Sequence, residues 1–377
     1  MAFQLNDSDQ IFLRTLGVDE SVDSIYLGQV QVWTSGFSFR TQWKTDNVTG
    51  SSDASEPNQV KLPLDKEKGN YSFTIRWGDG TTNTVTNRVN GVRQNRFVVT
   101  DVITNETQGF DEVVHTYENS GVYEISIVGQ IDGWSFQNAG DKNKLLRVYS
   151  WGPLEVGNEG GYFHGCSNML IEAPDVLNLE NTTNMLNGFR GCTALTDNEG
   201  MQNWDVSNIE DMRFMFAESP SFNEDLSGWI TGNVRTTRFM FYQATAFNSN
   251  ISGWNMLSNE NMGYMFYEAE NFNQPIGSWL TENVEAMDYM FYKAASFDQD
   301  LSNFNVSSVT NFEEFASYSG LSITSYDALL NGWAPQVLQN DINFAAREIQ
   351  YSSAAQSARQ LIIDTYNWTI TDGGLST

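Results

Sequence analysis

Between residues 201 and 320 the large apolar side chains return every 25 positions. Met215-Phe216, Met240-Phe241, Met265-Phe266 and Met290-Phe291 keep that step, and Phe315 holds the next methionine place. Phe222-Asn223, Phe247-Asn248, Phe272-Asn273 and Phe297-Asp298 follow the same rule, as do Trp204, Trp229, Trp254, Trp279 and Phe304. Gly165-Cys166 and Gly191-Cys192 mark degenerate earlier copies at a step of 26. A fixed period of this size predicts a solenoid with one coil per repeat. Within a coil, Met262, Met265, Phe266 and Ala269 fall at i, i+3, i+4 and i+7, the pattern of a short helix. The stretch Phe272 to Trp279 places Asn, Pro, Gly and Ser between large apolar residues, which reads as a turn and a short extended piece. Two turns of helix do not stand alone in water, so the coils must stack and bury Met, Phe and Trp in one core. The Asn223, Asn248, Asn273 column reads as an internal ladder of side-chain hydrogen bonds.

Some large aromatics lie off the core side of this pattern. At about 100° per residue with Met262 at zero, the core side centres near 350°, while Tyr264 falls near 200° and Tyr267 near 140°. The equivalent outer columns are Phe214, Phe239, Tyr264, Tyr289 and Tyr242, Tyr267, Tyr292. Their neighbours Arg213, Arg238, Asp288, Gln243, Glu268 and Lys293 vary and are polar, as solvent positions are. An exposed aromatic stripe marks a contact surface, and tyrosine suits both sugar and protein partners. These seven side chains are the candidate binding residues. The competing reading is that neighbouring loops, or misphasing of so short a helix, bury the rings.

The N-terminal half changes period. YSFTIRWGDGTTNTV (71–85) alternates Tyr71, Phe73, Ile75 and Trp77 before a Gly-Asp-Gly turn, which predicts a hairpin. GVYEISIVG (121–129) alternates in the same way. Several short strands with turn signals predict a small β-sandwich. Asp79 reads as turn chemistry and His115 as a satisfied, half-buried imidazole. IYLGQVQVW (25–33) is a further strand pair or extended arm. At the other end, SYDALLNGW and SSAAQSARQLIIDTYNW are helical, with Ala354, Ala358, Leu361 and Ile362 at i, i+4, i+7 and i+8, and suit a cap over the last coil.

Charge and composition remove whole classes of function. Twenty basic residues against 47 acidic ones leave a net charge of −27, the wrong sign for a nucleic-acid backbone. No run of about 18 apolar residues predicts a membrane span. The start MAFQLNDSDQIFLRTLGVDE has neither the basic beginning nor the apolar centre of a secretion signal. Cys166 and Cys192 hold one place in consecutive coils. That placement allows a disulfide, but two reduced, buried thiols are expected. Carboxylates are abundant at this acidity, yet no pair is singled out for glycosidase chemistry. No enzyme, no cofactor and no metal site is expected.

Taken in order, NMxxMFxxAxxFN, SGW, the closing YDALLNGW and WTITDGG resemble the BspA-like leucine-rich-repeat surface proteins, also seen as Mycoplasma-type lipoproteins. FRTQWKTDN, WGDGTT, HTYENSGVYEISIVG, GDKNKLL and FHGCSNM resemble the PKD-like β-sandwich that often precedes such arrays. The resemblance covers roughly residues 37–377 and implies a non-enzymatic surface or adhesion role. VDSIYLGQVQVW resembles the N-terminal segment of phage tail and virion proteins, a shorter likeness. The expectation is therefore a mixed α/β repeat protein. It has an arm at 1–36, a β-sandwich at 37–150, a leucine-rich-repeat-like solenoid at 151–320 and a helical cap at 321–377. Ile25, Tyr26, Leu27, Val32 and Trp33 are the candidate docking residues of the arm. The resemblances imply a phage tail or fibre protein that binds host-surface glycan or protein through the solenoid. Capsid decoration, tail building through subunit contacts and a bacterial cell-surface adhesin are the alternatives. Other virion proteins and further copies of the chain are the expected partners.

Overall fold

The computed structural model describes residues 24–27, 30–34, 38–48, 53–196 and 200–377. Strands β1 (Ser24–Leu27) and β2 (Val30–Thr34) pair as an antiparallel hairpin. Then come β3 (Phe39–Lys44), β4 (Gln59–Lys61), β5 (Asn70–Arg76), β6 (Thr82–Val89), β7 (Val92–Asp101) and β8 (Thr107–Phe110). These are followed by β9 (Val114–Thr116), β10 (Val122–Asp132), β11 (Leu145–Ser150), β12 (Leu154–Glu155) and β13 (Leu170–Ile171). One nine-stranded sheet runs β13-β11-β3-β10-β5-β6-β7-β8, with β12 beside β10, while β4 and β9 form a separate two-stranded ribbon. Period-two alternation drives these strands: Phe39, Thr41 and Trp43 of β3 and Tyr71, Phe73 and Ile75 of β5 all point inward. The β5–β6 turn needs Gly78, whose φ is 85° and where a Cβ would sit 2.5 Å from the Glu124 carbonyl oxygen.

Strand β11 pairs antiparallel with β3 and parallel with β13, so the first coils continue the sheet directly. From there one parallel bridge per coil links Asn184, Asp211, Thr236, Asn261, Ala286 and Asn311. The ladder goes on through Phe312 and Phe344 into β14 (Asn343–Ala346), which pairs parallel with β15 (Thr369–Asp372). One hydrophobic core runs from Phe39 to Trp368. Its spine is a file of rings, in which Phe189, Phe216, Phe241, Phe266 and Phe291 stack at 5.7–5.9 Å. The tryptophan column adds a polar tie. The Nε1–H of Trp229, Trp254 and Trp279 donates to the carbonyls of Met201, Leu226 and Ile251 at 2.7–3.1 Å, one coil back.

These facts correct the expected fold class. The protein is not a mixed α/β repeat with a helix in each coil. Among the described residues α-helix is confined to α1 (Ile323–Trp333) and α2 (Gln356–Tyr366), beside one short 3-10 helix at Met201–Asn203, and the coils are otherwise built of turns and bridges. The MxxMFxxA segments are runs of successive turns. The physical reason lies in their backbone hydrogen bonds. The N–H groups of Met212, Phe214, Phe216 and Glu218 donate to the carbonyls of Thr236, Arg238, Met240 and Tyr242 in the next coil at 2.7–3.1 Å. Met215 and Ala217 instead reach back three residues, to Met212 and Phe214. An eight-residue helix would gain few internal bonds and would break all of those between coils. The N-terminal part is likewise not a sandwich of matched sheets but one large sheet with a small ribbon. Nor is the end a helical cap: parallel strands β14 and β15 carry the ladder onward, and α2 buries only Ile362. No described helix is long and apolar enough to cross a membrane.

Candidate interaction surface

Each coil makes two tight turns on its outer side, and each puts a side chain at positive φ. Phe214, Phe239, Tyr264 and Tyr289 have φ of 54–61°, and Glu218, Gln243, Glu268 and Lys293 have φ of 53–57°. This is the left-handed region, which costs a non-glycine residue about 1 kcal/mol. Here the turn is imposed by the hydrogen bonds between coils, and ring stacking offsets part of the cost. Phe214, Phe239, Tyr264 and Tyr289 form one file with centroids 4.3, 4.4 and 4.6 Å apart and ring planes nearly parallel from coil to coil. Tyr242, Tyr267 and Tyr292 form a second file at 4.8 and 4.9 Å, closed edge-on by Tyr318. The files interlock at 5.6–5.7 Å through Phe239–Tyr242, Tyr264–Tyr267 and Tyr289–Tyr292. All seven candidate binding residues are half-buried, and none belongs to the core. Burial raises the phenol pKa of Tyr242, Tyr264 and Tyr267; burial and the Glu313 carboxylate push Tyr289 up to about 12.

Two charged rails border this ribbon. On the side of Tyr264 run Arg213, Arg238, Gly263, Asp288 and Glu313, one per coil. Arg238 reaches over the side-chain-free Gly263 to grip both oxygens of Asp288 at 2.9 and 3.1 Å. On the way its guanidinium lies 4.9 Å from the Phe239 ring centroid and 5.0 Å from that of Tyr264. On the side of Tyr267 run Glu218, Gln243, Glu268, Lys293 and Tyr318. Glu268 accepts from Gln243 at 2.8 Å and pairs with Lys293 at 3.0 Å. Burial works against the Glu268 carboxylate, but those two hydrogen bonds hold its pKa below the usual value. Arg190 caps the first ring, lying 4.9 Å from the Phe214 centroid while paired to Glu218 at 2.6 Å.

Sequence reasoning had placed Arg213, Arg238 and Asp288 simply in solvent. It missed the pair that spans a coil, although the signal is in the 25-residue column that puts Gly263 between Arg238 and Asp288. The asparagine column does form a ladder, with the N–H of Asn248, Asn273 and Asp298 donating to the Oδ1 of Asn223, Asn248 and Asn273 at 2.7–2.9 Å. It sits at the surface edge rather than inside, since Asn248 and Asp298 are exposed. Cys166 and Cys192 are free and buried, and burial raises both thiol pKa values. His115 Nε2 meets Asp79 Oδ2 at 2.7 Å and stacks on Trp77 at 4.6 Å, while Asp79 Oδ1 accepts from Thr81. Ile25, Tyr26, Leu27, Val32 and Trp33 lie on the β1–β2 hairpin, where Ile25 pairs with Trp33. Their side chains are outside the described residues.

A family model described as "Mycoplasma protein of unknown function, DUF285" matches residues 160–270 and 258–340. The coil stack is thus similar to that family, which is consistent with a BspA-like Mycoplasma surface repeat protein. No curated protein and no solved structure matches the chain.

Proposed function

We propose that this is a non-enzymatic virion structural protein of the tail or fibre type, with the coil stack as its adhesion element. The aromatic ribbon is then its contact surface, and the N-terminal arm docks on the particle. The observation that carries this reading is the ribbon itself: seven half-buried rings, in register, on a scaffold held by hydrogen bonds in every coil. Support for the virion comes from the likeness of residues 22–33 to phage tail proteins. Support for surface display comes from the likeness of the coil repeats to BspA-like surface proteins, with which the family match is consistent.

Ring geometry favours a protein over a sugar as the ligand. A pyranose stacks on an open aromatic face, and here each inner ring has its faces against its neighbours at 4.3–4.9 Å. What points outward is a row of edges and hydroxyls, which suits a flat protein surface. The test is binding of the full chain to susceptible bacteria, compared with the triple variant Tyr242→Ser, Tyr267→Ser, Tyr292→Ser. Binding should drop at least about tenfold and should be sensitive to protease treatment of the cells. Unchanged binding by the variant would sink the ribbon as the contact surface. Binding abolished by glycosidase alone would return the sugar reading. Immunogold label at the tail tip would support the tail placement, and label spread over the head would favour capsid decoration.

A further inference from the structure

We infer that the tip of the β6–β7 hairpin is a second binding site, separate from the ribbon, where Arg88 and Arg93 take a phosphate group. Charge pairing singles this hairpin out. Eight arginines of the described chain each lie within ion-pair distance of a carboxylate. Arg88, Arg93 and Arg96 have no such partner among the described residues, and all three sit on β6 and β7. Between Asp79 and Asp101 the chain holds these three arginines and no acid. Acids of the neighbouring loop and strands are engaged elsewhere. Asp65 Oδ1 accepts the N–H groups of Glu67 and Lys68, Asp111 pairs with Lys66, and Asp132 accepts from Gln130. Charges are screened beyond about 8 Å at physiological salt, so an incoming anion meets this local field rather than the net charge of −27.

The sequence RVNGVR (88–93) closes the hairpin. Asn90 and Gly91 have φ of 51° and 79°, the left-handed pair of a tight two-residue turn. That turn sets Val89 opposite Val92 and Arg88 opposite Arg93. Like charges on directly opposed residues repel, yet both guanidiniums converge on one neutral acceptor. Asn70 Oδ1 accepts from Nη2 of Arg88 at 2.5 Å and from Nη2 of Arg93 at 2.8 Å. Arg88 also donates to the Gly91 carbonyl, and Arg93 to the carbonyls of Glu67 and Lys68. Carbonyl oxygens thus fix both forks in place and neutralise neither. These contacts use two N–H groups of Arg88 and three of Arg93, so half of the five that each guanidinium carries stay open across the pair. Both side chains are exposed, and an anion reaches them from solvent. A carboxylate has its two oxygens in one plane and is filled by one fork. A tetrahedral phosphate presents oxygens in several planes, accepts from both forks at once and removes their repulsion.

The experiment is calorimetric titration of the full chain with inorganic phosphate, with poly(glycerol phosphate) and with poly-glutamate. Wild type is compared with Arg88→Gln, Arg93→Gln, Asn70→Ala and Arg40→Gln, and near-ultraviolet circular dichroism confirms that each is folded. Wild type should bind both phosphate probes. Arg88→Gln and Arg93→Gln should each weaken binding roughly tenfold. Asn70→Ala loses no charge but releases both forks, and should weaken binding about threefold. Arg40→Gln, whose partner is Glu124, should bind as wild type does. Tighter binding of the polymer than of the free ion supports the site and assigns it to a surface polymer. Equal affinity per phosphate supports it and assigns it to free phosphate. No binding of either phosphate probe would overturn the proposal, as would unchanged binding by both glutamine variants. Poly-glutamate bound as tightly as the phosphate polymer would also overturn it and make the partner an acidic protein. The site does not depend on the ribbon: the triple tyrosine variant should bind phosphate as wild type does, whether or not it still binds cells.

Discussion

Replacing Gly263 with alanine tests whether the bridge over that coil stabilises the stack. A Cβ built at Gly263 would lie 2.2 Å from Arg238 Nη1 and 2.5 Å from Asp288 Oδ1. Both atoms are ends of side chains, so the backbone need not move, and the steric cost is small. The loss is the ion pair itself. The Asp288 side chain is 6% exposed and that of Arg238 28%, so a displaced guanidinium leaves a nearly buried carboxylate without its two hydrogen bonds. Breaking a fully buried pair costs about 3–5 kcal/mol, and water reaching from the Arg238 side lowers this to about 2–3. Displacing the guanidinium from the Phe239 and Tyr264 rings adds about 0.5 kcal/mol. Against this, alanine narrows the unfolded chain's freedom and returns about 0.5–1 kcal/mol. The net expectation is a destabilisation of about 2 kcal/mol. Urea unfolding followed by tryptophan fluorescence measures it, with Trp254 and Trp279 reporting from the neighbouring coils. The decisive comparison is the same substitution in an Asp288→Ala background, where no pair is left to break. There Gly263→Ala should be neutral or stabilising by about 0.5 kcal/mol. Equal destabilisation in both backgrounds would refute the bridge as the cause.

Other outcomes follow from single residues. Trp254→Phe removes an Nε1–H donor to the Leu226 carbonyl at 3.1 Å, but that carbonyl also accepts the Trp229 N–H at 3.2 Å. The acceptor stays satisfied, so the hydrogen bond is worth about 1 kcal/mol and the cavity a further 1–2, a total that chemical denaturation can resolve. Tyr289 keeps its proton up to about 12, above its unfolded value, so it contributes stability below the ordinary phenol pKa that is lost as pH rises through about 12. Ultraviolet phenolate absorbance of wild type against Tyr289→Phe should place one late-titrating phenol there. Burial, with Arg190 and Lys142 close by, lowers His164 to about 4. Its folded state resists protonation, so stability falls as pH drops from the unfolded histidine value toward about 4, and His164→Gln should flatten thermal midpoints across that window.

The sequence carried the period, the columns and the core-facing side of the apolar columns, though not the place of the asparagine column or of Asp288. Met262, Met265, Phe266 and Ala269 are all buried, as their spacing required. The β5–β6 hairpin was legible in the alternation that ends at Gly78-Asp79-Gly80. The conformation of the coil was not legible. Positions i, i+3, i+4 and i+7 face one way in a helix and also in a run of tight turns, so burial alone cannot separate them. The helical wheel put Tyr264 and Tyr267 on the outer side, where they are, but by the wrong backbone.

By itself, then, the sequence determined that the chain repeats, which apolar columns are hidden and that aromatics recur outside the core. Tertiary structure decided the rest, because it depends on groups far apart in the chain. Phe214 donates its N–H to Arg238 in the next coil, and that bond, not local propensity, selects turns over helix. Stacking of Tyr264 on Phe239 and Tyr289 turns separate surface rings into one ribbon. The grip of Arg238 on Asp288, two coils away, exists only because stacking puts Gly263 between them.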